Sequence, residues 1–116
     1  MSHLFEECSS LLEINMNGID TNSVKDMSYM FHSCSAIKIL DLSNFNTKNV
    51  INMPNMFQDS ISLAQLNINN FDTNKVIDMS FIFKICLSFD ILDISKLNTN
   101  IVKNFKNYYD LKYWEL

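Results

Sequence analysis

The stretch "DLSNFNTKNVINM", residues 41–53, returns as "NINNFDTNKVIDM" at residues 67–79. The two stretches are offset by 26 residues, and the same offset relates Cys8 to Cys34 and Ser60 to Cys86. Two columns at this offset are identical throughout: Thr21, Thr47, Thr73 and Thr99, and Val24, Val50, Val76 and Val102. A fixed period of this length is typical of repeat proteins, in which each unit buries its apolar side chains against the next. The repeated phrase is therefore interpreted as a determinant of the fold.

The period divides the whole chain. We expect a single array over residues 1–116, made of a partial-repeat helix at 1–8, repeats at 9–34, 35–60, 61–86 and 87–112, and a degenerate C-terminal end or cap at 104–116. Because Met1 aligns with Met27, the chain starts within a unit, and we expect it to be a fragment of a longer array.

Each unit contains two apolar patterns. Leu11, Ile14 and Met16 spell LxxLxL, and the last two side chains, spaced by two, predict a short strand with one buried face. Further along, Met27, Met30, Phe31 and Cys34 follow the i, i+3, i+4, i+7 spacing of a two-turn helix. The predicted N-caps of these helices are Asp26, Asn52, Asp78 and Asn104. One unit is thus predicted to be a strand, a turn and a helix.

The recurring phrase "MSYMFHSCSAIKILDLSNFNTKNVINM", residues 27–53, resembles the BspA-like leucine-rich repeat of bacterial and protist surface proteins, including mycoplasma lipoproteins. The resemblance implies an α/β fold: a right-handed leucine-rich-repeat solenoid of about four 26-residue strand–turn–helix repeats with parallel strands on one face. It also implies a cell-surface or extracellular location and a role in adhesion or in binding host proteins or neighbouring cells.

Composition excludes several classes of partner. Nine basic residues, all of them lysine, stand against thirteen acidic ones, and the formal net charge of −4 gives no nucleic-acid footprint. Without arginine, the guanidinium forks that bind phosphates and bases are absent. No apolar run is long enough to cross a bilayer, so no direct membrane insertion is expected in this segment. The N-terminus "MSHLFEECSS" does not have the pattern of a signal peptide.

No catalytic residues, metal site or cofactor are predicted. The sequence has no GxSxG, HExxH or glycine-rich phosphate loop, and His3 and His32 have no fixed carboxylate partner. The cysteines Cys8, Cys34 and Cys86 are expected to be small buried residues. The column Asp20, Asn46, Asp72 and Asn98 could bind calcium, but turn residues of this kind more often bond their own backbone.

The predicted binding surface is the strand-lined face of the array, because repeat proteins commonly bind through such a face. We name its predicted members the strand-side panel: Glu13, Asn15, Asn17, Ile39, Asp41, Ser43, Gln65, Asn67, Asn69, Ile91, Asp93 and Ser95. Acidic and amide side chains with isolated isoleucines suit a protein or a glycan partner. The leading hypothesis is a non-catalytic macromolecule-binding repeat module; the alternatives are a structural spacer without a ligand and an intracellular interaction scaffold.

Overall fold

The computed structural model describes residues 1–98 and 114–115, and its strands are short and parallel. Strand β1 spans Ile39–Asp41, β2 Gln65–Asn67, β3 Leu92–Asp93 and β4 Trp114–Glu115. β1 pairs with β2 and β3 pairs with β4, and among the residues described no ladder joins β2 to β3. The sheet is therefore divided into two small parts.

Neighbouring units stack at the offset that the sequence predicts. Leu40 lies opposite Leu66 in the β1–β2 pair, so strand residues 26 positions apart are neighbours in space. Isolated parallel bridges continue this register on another side of the units, from Asp26 to Asn52 and from Asn52 to Asp78. The 26-residue step is thus the register of these pairs, whereas β3 pairs with β4 at a shorter offset, with Leu92 opposite Trp114.

The predicted fold class is wrong. An α/β leucine-rich-repeat solenoid requires a helix in every unit, and residues 1–98 contain no helix. The segments predicted as helices, residues 1–8, 27–34, 53–60 and 79–86, are runs of hydrogen-bonded turns. The strand predicted around Ile14 and Met16 is also absent, and the strands that form have only two or three residues. The chain is a small compact fold of stacked turns.

Backbone conformation explains why no helix forms. Tyr29 and Ser33 are left-handed, each with φ of 58°, and a left-handed residue interrupts a right-handed helix. The Met30 amide donates to the Met27 carbonyl, three residues back, whereas the Tyr29 amide donates to the Pro54 carbonyl in the next unit. Alternate amides thus bond to the neighbouring unit. The other left-handed non-glycine residues, spaced in the same way, are His3, Glu7, Asn55, Asp59, Phe81 and Ile85.

The predicted N-cap residues form turns. The Asp26 side chain accepts a hydrogen bond from the Ser28 amide at 2.8 Å, and Asp78 accepts one from the Ser80 amide at 2.9 Å. Pro54 occupies the position of these serines in the intervening unit and has no amide to donate. The fourth predicted cap, Asn104, lies outside the described residues, as do the predicted C-terminal cap apart from the β4 backbone and most of repeat 87–112 beyond Asn98.

A column of stacked phenylalanines passes through the core. The rings of Phe5 and Phe31 are 5.5 Å apart, those of Phe31 and Phe57 5.7 Å, and those of Phe57 and Phe83 5.5 Å, all nearly parallel. Most methionines of the same turn segments are fully buried: Met27, Met30, Met53, Met56 and Met79. The prediction that the Met and Phe columns form the core is confirmed. The structure has no helix in its described part that could span a membrane.

Buried threonines link the units on another side. The Thr47 hydroxyl donates to the Asp72 carbonyl at 2.9 Å and accepts from the Asp72 amide at 2.7 Å. Thr21 makes the same pair of bonds with Asn46. One side chain thus satisfies both backbone groups of a residue in the next unit, which accounts for the invariant threonine column.

The left-handed turns give a prediction with a matched pair of variants. Glu7 is exposed and left-handed (φ 59°), whereas Glu13 is exposed without positive φ. We expect Glu7→Gly to raise the free energy of unfolding by about 0.5–1 kcal/mol, because glycine adopts this conformation without the side-chain penalty. Glu13→Gly should lower it by about 0.5–1 kcal/mol, through the entropy of the unfolded chain. Urea denaturation measures both; equal effects of the two substitutions would contradict the assigned conformation.

Candidate functional site

The strand-side panel is largely accessible to solvent. Ten of its residues are exposed, and Ser43 and Asn67 are half-buried. Ile39 pairs with Gln65 and Asp41 with Asn67 across β1 and β2, which brings these four residues together. Asp93 lies on the separate β3–β4 sheet, and Glu13, Asn15 and Asn17 lie on a segment without strand structure. The structure therefore brings the central residues of the predicted panel together on the β1–β2 sheet. The residues at its two ends lie on other parts of the backbone.

A hydrogen-bonded turn recurs along the panel. The Asp41 side chain accepts from the Ser43 amide at 2.9 Å, and Asp93 accepts from the Ser95 amide at 2.9 Å. Asn15 and Asn67 accept in the same way from the amides of the second residue after each. These side chains therefore stabilise the fold, because each one holds the turn of backbone that follows it.

The same bonds affect the charge of the panel. Hydrogen bonds from the hydroxyl and amide of Ser43 hold the pKa of the Asp41 carboxyl below its ordinary value. Those from Ser95 lower the pKa of Asp93 likewise. Both carboxylates are exposed and ionised at neutral pH, so together with Glu13 they make the panel anionic.

Two isoleucines interrupt this anionic surface. The exposed fraction of Ile39 is 62% and that of Ile91 is 73%, although each lies beside a fully buried leucine in its unit. Neither is required for the core, where Leu40 and Leu92 fill the corresponding space. Isolated exposed apolar residues are common, but here they occupy the strand-side column of a regular array. They are the panel members best suited to contact an apolar part of a partner.

A cluster of histidines and carboxylates lies on the turn segments. The His32 ring nitrogens are 3.4 Å from a Glu6 oxygen and 3.4 Å from an Asp59 oxygen. His3 lies 2.6 Å from Glu6 and stacks on Tyr29, with ring centroids 4.9 Å apart. The sequence patterns did not predict these pairings, although Glu6 and His32 are 26 residues apart and therefore adjacent in the array. The cluster links three successive turn segments.

The described part of the chain does not bring together the side chains that a metal site needs. No group of three or more His, Cys, Asp or Glu side chains there is arranged to hold a metal ion. In the column considered for calcium, Asp20 accepts the Asn22 amide and Asp72 accepts the Asn74 amide, each at 2.9 Å. An open depression of about 320 Å³ adjoins this column, lined by residues 71–74 and 95–98, and contains neither histidine nor cysteine.

The cysteine column is part of the packing between units. The Cys34 thiol donates to the Phe5 carbonyl at 3.1 Å and the Cys86 thiol to the Phe57 carbonyl at 2.9 Å. Ser60 makes the equivalent bond to Phe31 at 2.8 Å. Serine can therefore replace cysteine in this column because the hydroxyl retains the hydrogen bond.

Cys34 is buried and Cys86 is half-buried, and the loss of water around both thiols predicts their reactivity. Burial raises the pKa of the Cys34 thiol from 9.0 to about 11, and that of Cys86 from 9.0 to about 12. At about pH 8 the thiolate fraction should be lowered about 100-fold for Cys34 and about 1,000-fold for Cys86, since only the thiolate is nucleophilic. We expect iodoacetamide to alkylate both far more slowly in the folded chain than in urea, as followed by peptide mass spectrometry. Equal alkylation rates in buffer and urea would refute the buried assignment.

A protein-family model matches most of the chain. Residues 1–112 match a family model described as "Mycoplasma protein of unknown function, DUF285". Neither the curated proteins nor the solved structures include a significant match to this chain.

Proposed function

We propose that this chain, which belongs to the DUF285 family of Mycoplasma proteins, is a non-catalytic repeat module that binds another macromolecule through the strand-side panel. The observation that carries the proposal is the exposure of Ile39 and Ile91 within an anionic and amide-rich surface. A core repeated in every unit leaves such a surface free to differ from unit to unit, as Gln65 does between the two isoleucines.

The partner class follows from the chemistry of the panel. Isoleucine side chains offer dry apolar contact, while carboxylates and amides accept and donate hydrogen bonds at the rim, which is the usual composition of a protein-binding surface. The anionic charge favours a partner with a basic patch, because complementary potentials speed association. We therefore favour a protein with a basic surface over a neutral glycan.

A cell-surface location is part of the same proposal. The match to a Mycoplasma family supports it only in general terms, and the recurring "MF..CS.L..LDLS.F.T..V..M" phrase supports kinship in sequence with BspA-like surface proteins. Adhesion to a host or neighbouring cell would use the panel directly.

The first test distinguishes an effect of the panel on binding from a general effect of losing an exposed isoleucine. The labelled chain is applied to cultured epithelial cells, and we expect saturable binding that the double variant Ile39→Ser, Ile91→Ser reduces severalfold, because hot spots of binding are concentrated in a few apolar residues. The matched control is Ile77→Ser, which removes an equally exposed isoleucine, 72% accessible, outside the panel.

A second pair of variants tests the charge. Asp41→Asn and Asp93→Asn together remove two charges but keep the turn, because asparagine makes the same turn bond at Asn15 and Asn67. We expect the association rate to fall and its salt dependence to weaken, with the melting temperature nearly unchanged.

The alternative of a structural spacer is favoured by one observation: the side chains of Asn15, Asp41, Asn67 and Asp93 are all used in turns. A spacer predicts no saturable binding by the chain, or binding that none of the panel variants alters. Either result would refute the binding proposal.

A further inference from the structure

The dipeptide Asn17–Gly18 differs from every other asparagine position in the chain. Sixteen asparagines are present with a single glycine, so this is the one Asn–Gly pair. Both residues are exposed, Gly18 has φ of +79°, and no atom lies within 4 Å of the position that a Cβ would occupy. No neighbouring atom therefore crowds the side of Gly18 on which a side chain would project.

Hydrogen bonding restrains other asparagines but not this pair. The side-chain amides of Asn44 and Asn49 donate to carbonyls of the preceding unit, each at 2.7 Å. Within residues 1–98, neither the Asn17 side chain nor the Gly18 amide forms a hydrogen bond; the Asn17 main-chain amide alone bonds, to Asn15 at 2.9 Å. The carboxamide of Asn17 is thus free to rotate toward the amide that follows it.

We propose that Asn17–Gly18 is a site of spontaneous, self-catalysed modification, at which the asparagine amide is converted to an acid. The Gly18 main-chain nitrogen attacks Cγ of Asn17, and a nitrogen–Cγ bond forms. The Cγ–Nδ2 bond breaks, and Nδ2 leaves as ammonia after taking up the proton lost by the Gly18 nitrogen. The product is a five-membered cyclic imide, and no oxidant or cofactor is required.

Water then opens the imide at one of two bonds. Cleavage between the nitrogen and Cγ gives aspartate at position 17, while cleavage between the nitrogen and the main-chain carbonyl carbon gives isoaspartate. Either product adds one negative charge beside Glu13 and Asn15 at one end of the panel. Isoaspartate also lengthens the backbone by one carbon, which should disturb the hydrogen bond from Ile19 to Met16 that closes this turn.

The repeat itself provides a reference position. Asn69 occupies the column of Asn17, is exposed, and also has its amide bonded two residues back, to Asn67. The residue after Asn69 is Asn70, whose side-chain amide donates to the Ser43 carbonyl. The two positions differ chiefly in the residue that follows, and a bulkier following residue hinders attack.

The experiment incubates the full chain in mildly alkaline buffer and follows released ammonia and peptide masses. We expect position 17 to convert first, with both aspartate and isoaspartate formed, an order of magnitude faster than Asn69. Gly18→Asn, which introduces the residue found in this column at Asn44 and Asn70, should slow the conversion by a similar factor. Asn17→Ser, which introduces the residue found in its own column at Ser43, should abolish the conversion.

Two results would overturn the proposal. One is conversion of Asn22 or Asn69 as fast as Asn17. The other is a native rate an order of magnitude below that of the urea-unfolded chain, which would mean that the fold protects the site. Because the readout is chemical, it does not depend on whether the panel binds a partner.

Discussion

Replacing Phe57 with alanine should lower the free energy of unfolding by about 3–5 kcal/mol, the range for removing a fully buried phenylalanine. Phe57 is completely inaccessible and stacks on Phe31 and on Phe83, so its loss leaves a cavity in the middle of the column. Stacked aromatic pairs contribute about 0.5–1.5 kcal/mol each beyond burial, which places the expected loss in the upper part of the range. Urea denaturation followed by circular dichroism measures the change.

Phe5→Ala is the matched control. Among the described residues, the Phe5 ring stacks on Phe31 alone, and it is only half-buried. Its removal should cost clearly less than that of Phe57, since fewer contacts are lost and water can fill the space. Equal losses for the two variants, or a loss below about 1 kcal/mol for Phe57→Ala, would show that the column does not stabilise the fold as described.

The second large effect is expected at Thr47. Thr47→Val keeps the shape of the side chain but leaves both the amide and the carbonyl of Asp72 without the hydroxyl that bonds them. An unsatisfied buried polar group costs about 1–3 kcal/mol, so we expect a loss of about 2–4 kcal/mol for the two groups, allowing for partial relaxation.

A serine variant distinguishes the contribution of the Thr47 hydroxyl to stability from that of its methyl group. Thr47→Ser retains both hydrogen bonds and should cost only about 1 kcal/mol, the value of one buried carbon. If valine and serine proved equally destabilising in urea denaturation, packing of the methyl group would be responsible, and the hydrogen bonds would contribute little.

The sequence predicted which residues are buried better than how the backbone arranges them. The spacing of Met27, Met30, Phe31 and Cys34 identifies an inward face correctly, and all four are buried. The same spacing is satisfied by successive turns, so it does not distinguish a helix from the observed conformation. The distinguishing feature is positive φ at residues such as Tyr29, and a tyrosine gives no signal for it.

Long-range register was predictable for a different reason. A period without insertions requires each column to meet its own copy, and Leu40 does face Leu66. The register changes at the next strand, where Leu92 pairs with Trp114. The hydrogen bonds of the turn segments were not predictable, because the destination of an amide such as that of Tyr29 depends on a neighbouring unit. Side-chain contacts across units, including His32 with Glu6 and Asp59, are set by that arrangement.

The panel residues were predictable from alternation within the strands, and their exposure agrees with it. Alternation does not predict their use in turns: the Asp41 side chain, predicted to face a partner, bonds the Ser43 amide. An aspartate in such a position serves the fold first. The binding proposal therefore rests more securely on Ile39 and Ile91, whose side chains are exposed, and the binding experiments with their serine variants are decisive.

Because neighbouring units pair at an offset of 26 residues, changes in the length of the gene are constrained. If the gene gains or loses a block encoding 26 residues, different units become adjacent. Contacts equivalent to Thr47–Asp72 and Phe31–Phe57 can then form between them. A block of any other length would place apolar side chains opposite polar ones where the inserted block meets its neighbouring unit. Recombination between the repeated coding segments should therefore produce viable length variants in whole-unit steps, and natural alleles that differ in size should differ by multiples of that step.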